Sequence, residues 1–203
     1  MSENADFAQA CADNDILFVG PTPAVIRTMG SKIEAKALMQ DAGVPTVPGF
    51  SAVGMSDETI IAGVGEIGFP VLRKASAGGG GKGMRIVNEA SALQASIDAA
   101  RREAQNAFGD DTLLVERYVA APRHIEVQIF GDTHGNLVHC FERECSIQRR
   151  YQKIIEEAPS PAVGDGLLQR ITDAALKAGQ ALGYTNAGTV EFILDQNGEF
   201  YFL

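Results

Sequence analysis

The sequence has no tryptophan, only three cysteines and eight prolines in 203 residues, and no apolar run near the ~18 residues that a membrane span requires. So few cysteines exclude a disulfide-stapled secreted scaffold. An odd number, with no Cys-x-x-Cys pair and no histidine at zinc-finger spacing, also excludes the common structural zinc sites. Cys11, Cys140 and Cys145 are therefore expected to be reduced, buried thiols. Positive charge is scarce as well: 17 Lys and Arg stand against 26 Asp and Glu, for a net charge of -9. A general nucleic-acid binder needs a basic face to displace counterions from phosphates, so that class is excluded, and no membrane association is expected. The opening residues, Met1-Ser-Glu-Asn-Ala-Asp6, lack the basic and apolar regions of a secretion signal, which points to a cytoplasmic location.

What is present suffices for a globular fold. Hydrophobic residues make up 45% of the chain, and the 22 glycines have no collagen period. The few bases are also local. Residues 1–60 hold eight acids and three bases, whereas Lys74, Lys82, Arg85, Arg149, Arg150 and Lys153 gather around two short segments. Periodicity predicts helices at 4–13, 23–29 and 31–42, with a short buried strand at 16–19. The two prolines of Val44-Pro-Thr-Val-Pro-Gly49 predict an extended linker and a domain boundary. A helix at 57–66, strands at 70–74 and 84–87, a helix at 89–107 and a strand at 112–117 follow. Strands at 123–131 and 136–144 then lead to an irregular polar stretch, a helix at 166–182 and a hairpin of 189–194 with 199–203 across the Asn197-Gly198 turn.

Lys74-Ala-Ser-Ala-Gly-Gly-Gly-Gly-Lys-Gly-Met-Arg85 contains Gly-x-Gly-x-x-Gly, yet a strand pattern follows where a dinucleotide site needs a helix N-terminus. It is not a Walker A loop either, since no Ser or Thr follows Lys82. What remains is a glycine hairpin whose backbone amides can close over phosphate oxygens, with lysines supplying charge; a plain flexible hairpin tip is the bland reading. Glu116, at the end of the apolar strand Leu113–Val119, is by itself a surface carboxylate or an adenine-side group. Alternation in Arg123-His-Ile-Glu-Val-Gln128 places His124, Glu126 and Gln128 on one face, which lines either solvent or a cavity. The stretch Glu142–Glu157 carries both signs of charge and reads as a solvated loop or a site. Glu191, between Val190 and Phe192, is a carboxylate in an apolar strand and needs a cation or metal partner.

Taken together, Phe18-Val-Gly-Pro21, Met29-Gly-Ser-Lys32, the glycine hairpin, Pro122-Arg-His-Ile-Glu-Val-Gln128, Cys145-Ser-Ile-Gln-Arg-Arg150, Glu156-Glu-Ala-Pro159 and Gly188-Thr-Val-Glu-Phe192 resemble the biotin carboxylase component of biotin-dependent acyl-CoA carboxylases, an ATP-grasp family. The resemblance implies an α+β ATP-grasp fold with a remnant of an N-terminal α/β domain. It divides the chain into that remnant (1–20), a helical linker (21–47), a lid subdomain with the glycine hairpin (48–118) and the start of the second ATP-grasp subdomain (119–203).

By the same resemblance the activity is ATP-dependent carboxylation of biotin. Bicarbonate becomes carboxyphosphate with MgATP, and biotin on a carrier protein or domain takes the carboxyl group before a carboxyltransferase passes it to an acyl-CoA. ATP, Mg2+ or Mn2+ and biotin are the implied cofactors and substrates, and the full-length form is expected to be a homo-oligomer. ATP contacts are implied for Lys32, Lys74, Gly79, Gly80, Gly81, Met84, Glu116, Arg117, Tyr118, Val119, His124, Gln148, Tyr151 and Ile193. Lys153 would hold bicarbonate, and Glu191 would be one of two carboxylates on magnesium, both with catalytic roles. Phe108-Gly-Asp-Asp111 and Phe141-Glu-Arg-Glu-Cys145 lean toward the methylcrotonyl-CoA type.

Three departures from the family pattern stand out. Tyr151 replaces a histidine, Arg73 replaces an aliphatic residue, and the sequence ends just before the Glu-Met-Asn that carries the second magnesium carboxylate. The isolated chain, read as a fragment, is therefore expected to lack turnover. A short non-catalytic nucleotide-binding module and another ATP-grasp ligase, such as a carbamoyl-phosphate-type enzyme, are the alternative readings.

Overall fold

Short polar residues start the helices. In the computed structural model, which describes residues 3–75, 84–108, 112–149 and 152–203, Asn4 accepts from the Phe7 amide at the head of α1 (Ala5–Asp13). Thr22, followed by Pro23, opens α2 (Pro23–Gly30), and Ser31 opens α3 (Lys32–Asp41). Each side chain satisfies an amide that the helix cannot pair internally. Two units follow from the contact pattern: Met1–Thr46 with Ala121–Leu203, and Val47–Ala120.

The Val47–Ala120 unit runs β1 (Gly49–Ser51), α4 (Asp57–Ile67), β2 (Val71–Ala75), β3 (Arg85–Val87), α5 (Leu93–Phe108) and β4 (Leu113–Arg117). Its antiparallel sheet has the order β1-β4-β2-β3. Ile60 and Val64 of α4 and Leu93, Ile97 and Ala100 of α5 bury Val71, Val87, Leu113 and Val115 on one face. Strand alternation then sends Lys74 and Glu116 to the opposite face. Gly79, Gly80, Gly81 and Tyr151 lie outside the described residues.

The other unit continues with β5 (Arg123–Gly131), β6 (Leu137–Arg149), β7 (Gln152–Glu157), α6 (Asp165–Leu182), β8 (Asn186–Leu194) and β9 (Phe200–Phe202). These strands form an antiparallel sheet in the order β7-β6-β5-β8-β9. Ile125, Val127 and Ile129 of β5 alternate onto the face covered by α6, beside Val190, Phe192 and Leu194 of β8. Full burial of a side chain such as Phe192 contributes roughly 2–3 kcal/mol. Gly179 lets α6 lie close on the sheet, since a Cβ there would sit 2.6 Å from Leu137 Cδ2. The helix ends at Gly183, whose φ of 57° is the left-handed cap that glycine adopts without strain.

Three expectations need correction. Residues 16–19 form no strand, and Ile16, Leu17 and Val19 are exposed; no described strand pairs with the segment, and the Ile16 amide turns back to the Cys11 carbonyl at 2.9 Å instead. The stretch expected to be irregular after 144 is ordered sheet, because β6 runs on to Arg149 and pairs with β7. Only Cys145 is a buried thiol: Cys140 is exposed and Cys11 is half-buried.

Candidate active site

The face of the five-stranded sheet opposite α6 carries the charged residues. Glu126 on β5 lies directly across from Glu191 on β8 and directly across from Arg143 on β6. Two carboxylates side by side repel unless a cation joins them. Lys153, on the edge strand β7, does so: its Nζ donates to Glu126 Oε2 and, at 2.5 Å, to Glu191 Oε1. Arg143 Nε pairs with the other Glu126 oxygen and lies 3.5 Å from Glu156. Glu126 is almost completely buried, at 2% side-chain exposure, so both of its oxygens need these partners.

The electrostatics follow from this clasp. The His124 ring outweighs burial and, joined by the Lys153 ammonium, holds the Glu191 carboxyl down at about 2. Burial disfavours the Lys153 ammonium, yet hydrogen bonds to Glu126 and Glu191 win and raise its pKa. Burial, with Glu126 and Glu156 nearby, pushes the Cys145 thiol up to about 11, so it stays neutral and is no thiolate ligand or nucleophile at pH 7.

His124 sits beside Ile193, its cross-strand partner, and is oriented by Gln148. The Gln148 Nε2 donates to the Cys145 carbonyl at 2.8 Å and lies 3.1 Å from His124 Nδ1. A carbonyl only accepts, so that nitrogen is the amide NH2, and its second hydrogen goes to Nδ1. With Nδ1 accepting, the ring proton lies on Nε2, which faces Glu191 Oε2 at 3.5 Å, an electrostatic contact rather than a formed hydrogen bond. Nε2 is buried and makes no hydrogen bond among the described residues. Glu126, Glu191 and His124 bring candidate ligand atoms within 4.8 Å of one another; the two carboxylates are the hard oxygen donors that suit Mg2+ or Mn2+, while the protonated Nε2 is placed to donate to a carboxylate rather than to bind a metal.

Behind the site lies a buried polar anchor. Glu144 accepts from Ser160 Oγ at 2.6 Å, Ser146 Oγ at 2.8 Å and Arg123 Nη1 at 2.7 Å. Ser146 Oγ in turn accepts from the His124 amide at 2.9 Å, and Glu142 accepts from the Ser160 amide at 2.8 Å. Burial alone would raise the Glu144 pKa, but its three donors lower it.

In the Val47–Ala120 unit, Lys74 Nζ pairs with Glu116 Oε2 at 2.7 Å, and both are largely buried. Glu116 is thus not the solvated carboxylate of the bland reading. Arg117, Tyr118 and Val119 follow it and are half-buried, Met84 precedes β3, and in the other unit Lys32 opens α3. Arg73 alternates away from Lys74 to the α5 side, where it is 3% exposed and its Nε and Nη2 find no hydrogen-bond partner among the described residues.

Of the expected site residues the structure therefore brings together Lys153, Glu191, His124, Gln148 and Ile193 in one unit, and Lys74 with Glu116 in the other. Glu126, Arg143 and Glu144 were not assigned from sequence. For Glu126 the signal was present, because strand alternation had placed it on the face of His124. For Arg143 and Glu144 nothing in the charge-rich run distinguished them from solvated residues.

Residues 31–203 match the family described as carbamoyl-phosphate synthase L chain, ATP binding domain. The whole chain is 51% identical to biotin carboxylase 2 of Bacillus subtilis, covering 46% of it. It is 50% identical to the mitochondrial methylcrotonoyl-CoA carboxylase subunit alpha of Rattus norvegicus, covering 28%. The biotin carboxylase domain of the Hydrogenobacter thermophilus 2-oxoglutarate carboxylase, solved with MgADP, ADP and bicarbonate, superposes with a TM-score of 0.88 at 45% identity, over 99% of this chain and 44% of that one. The chain thus spans less than half the length of each of these relatives. Among the described residues no helix is long and apolar enough to cross a membrane.

Proposed function

The chain belongs to the carbamoyl-phosphate synthase L chain ATP-binding domain family and has an ATP-grasp fold, and from that premise we propose that it serves the ATP-dependent carboxylation of biotin. The observation that carries the reading is the Lys153 ammonium joined to the paired carboxylates Glu126 and Glu191, with the buried His124 nitrogen beside them. Phosphoryl transfer depends on positioning and on neutralising charge over the moving group. Lys153 supplies a cation for bicarbonate, and Glu191 supplies an oxygen ligand for the magnesium that accompanies ATP.

Lys32 and Lys74 are assigned to phosphate oxygens, Glu116 to Val119 and Met84 to the adenine side, and His124, Gln148 and Ile193 to the ribose side. Gly79, Gly80, Gly81 and Tyr151 keep the nucleotide-side roles implied by the family pattern. Glu126 is added as the group that holds Lys153. Magnesium, when bound, polarises the phosphates; the chain's residues hold and orient the reactants. Partners follow from the chemistry: a biotin-bearing carrier, a carboxyltransferase and a second copy of the full-length chain. The cytoplasm is the proposed location, as suits relatives of the bacterial biotin carboxylase kind; others carry mitochondrial names.

The reading is tested by replacing the matching segment of the Bacillus subtilis biotin carboxylase 2 with this chain and measuring ADP formation. Bicarbonate-dependent ADP formation that free biotin stimulates is expected. ADP formation indifferent to biotin would favour another ATP-grasp ligase. A well-folded hybrid that forms no ADP would favour a non-catalytic nucleotide-binding module.

A further inference from the structure

We propose that the Lys153 ammonium is the resident counter-ion of the Glu126 and Glu191 carboxylates, and that a divalent cation enters this pair only by displacing it. The inference rests on the reading that Glu191 holds the divalent cation. Glu126 and Glu191 are direct cross-strand partners, an arrangement that needs a cation between them. Lys153 Nζ contacts one oxygen of each, while Arg143 takes the second Glu126 oxygen and His124 Nε2 faces the second Glu191 oxygen.

Two cations already serve this cluster: Lys153 spans the Glu126 and Glu191 carboxylates, and Arg143 is shared between Glu126 and Glu156. A dication added to this cluster would lie in contact range of the ammonium on the same carboxylate oxygens, where partial burial weakens solvent screening. One cation must leave. Arg143 sits on an interior strand and is tied to Glu126, Gln128 and Glu156. Lys153, no more exposed than Arg143, sits on the edge strand β7 and can swing its four-carbon stem without moving the backbone. Cation entry thereby frees the ammonium, so loading of the metal site and presentation of a cation to an anionic substrate become one exchange.

The test is Mn2+ titration of the chain without nucleotide, followed by the electron paramagnetic resonance of the free ion. Lys153→Gln, which removes the competing charge, is expected to bind Mn2+ about tenfold more tightly, and Lys153→Arg, which keeps it, no more tightly than the unsubstituted chain. Equal or weaker binding by Lys153→Gln overturns the exchange and leaves the cation role of Glu191 standing. No Mn2+ binding by any of the three removes both. In the unsubstituted chain, Mg2+ titration followed by lysine Cε resonances should move Lys153 among the six lysines. Mg2+ binding that leaves that resonance unmoved overturns the exchange, whether or not the variants fold.

Discussion

Replacing Glu144 by glutamine should cost the fold roughly 2–4 kcal/mol at pH 7, and the cost should vanish in acid. The carboxylate is 5% exposed and accepts three hydrogen bonds, from Ser160, Ser146 and Arg123. A bond to a charged group contributes about 1.5–3 kcal/mol, against about 1 kcal/mol for a neutral pair. Arg123 is half-exposed, so its share lies near the ~0–1 kcal/mol of a surface ion pair. In Glu144→Gln the amide oxygen can take only one carboxylate position. If it keeps Ser146 and Arg123, the NH2 confronts Ser160 Oγ, which already accepts from the Ala162 amide. One charge-assisted bond is lost and two are weakened, which yields the stated range.

The pH dependence follows from linkage. The folded pKa of Glu144 is depressed, so its stabilisation is complete above the unfolded value of about 4.3 and is lost as pH falls through the lower folded value. Urea unfolding of both proteins between pH 7 and pH 3 measures the difference. A deficit under 1 kcal/mol at pH 7, or one that persists unchanged at pH 3, would refute the anchor. Since Ser146 ties Glu144 to the His124 amide, imidazole nitrogen NMR should also show His124 losing its fixed tautomer while the exposed His134 keeps its signals.

Three further outcomes are expected. Lys74→Ala should weaken MgATP binding about tenfold by calorimetry, since it removes a phosphate-directed charge and leaves Glu116 without its 2.7 Å partner; unchanged affinity would remove Lys74 from the nucleotide site. Arg73→Leu should raise stability by about 1–3 kcal/mol, because it deletes a buried guanidinium with two nitrogens lacking partners among the described residues; a loss of stability on urea unfolding would contradict this. Gly131→Ala should lower stability by about 3 kcal/mol, as its Cβ would lie 2.1 Å from the rigid Tyr184 carbonyl oxygen; an unchanged thermal midpoint would show that the strand can shift there.

Much of the architecture was legible along the chain. Apolar periodicity located α2, α3 and α4 to within a residue at either end, and strict alternation gave β5 its observed bounds, Arg123–Gly131. The misplaced elements have a common cause. Residues 16–19 are apolar enough for a strand, and the run from 145 to 157 is polar enough for a loop. Whether a segment is strand depends on a pairing partner, and β7 gives the second segment one that the first does not have among the described residues.

The candidate site divides along the same line. Sequence alone determined which chemistry the chain could carry: local cations on an acidic chain, a carboxylate set into an apolar strand, and the order of motifs that resembles biotin carboxylase. Those are properties of residue type and local spacing. Tertiary structure alone decided that Glu126 faces both Glu191 and Arg143, that Lys153 joins the two carboxylates, and that Glu144 anchors the backbone beneath His124. These contacts join residues 17 to 65 positions apart through strand register, and register is set by how the five-stranded sheet packs against α6.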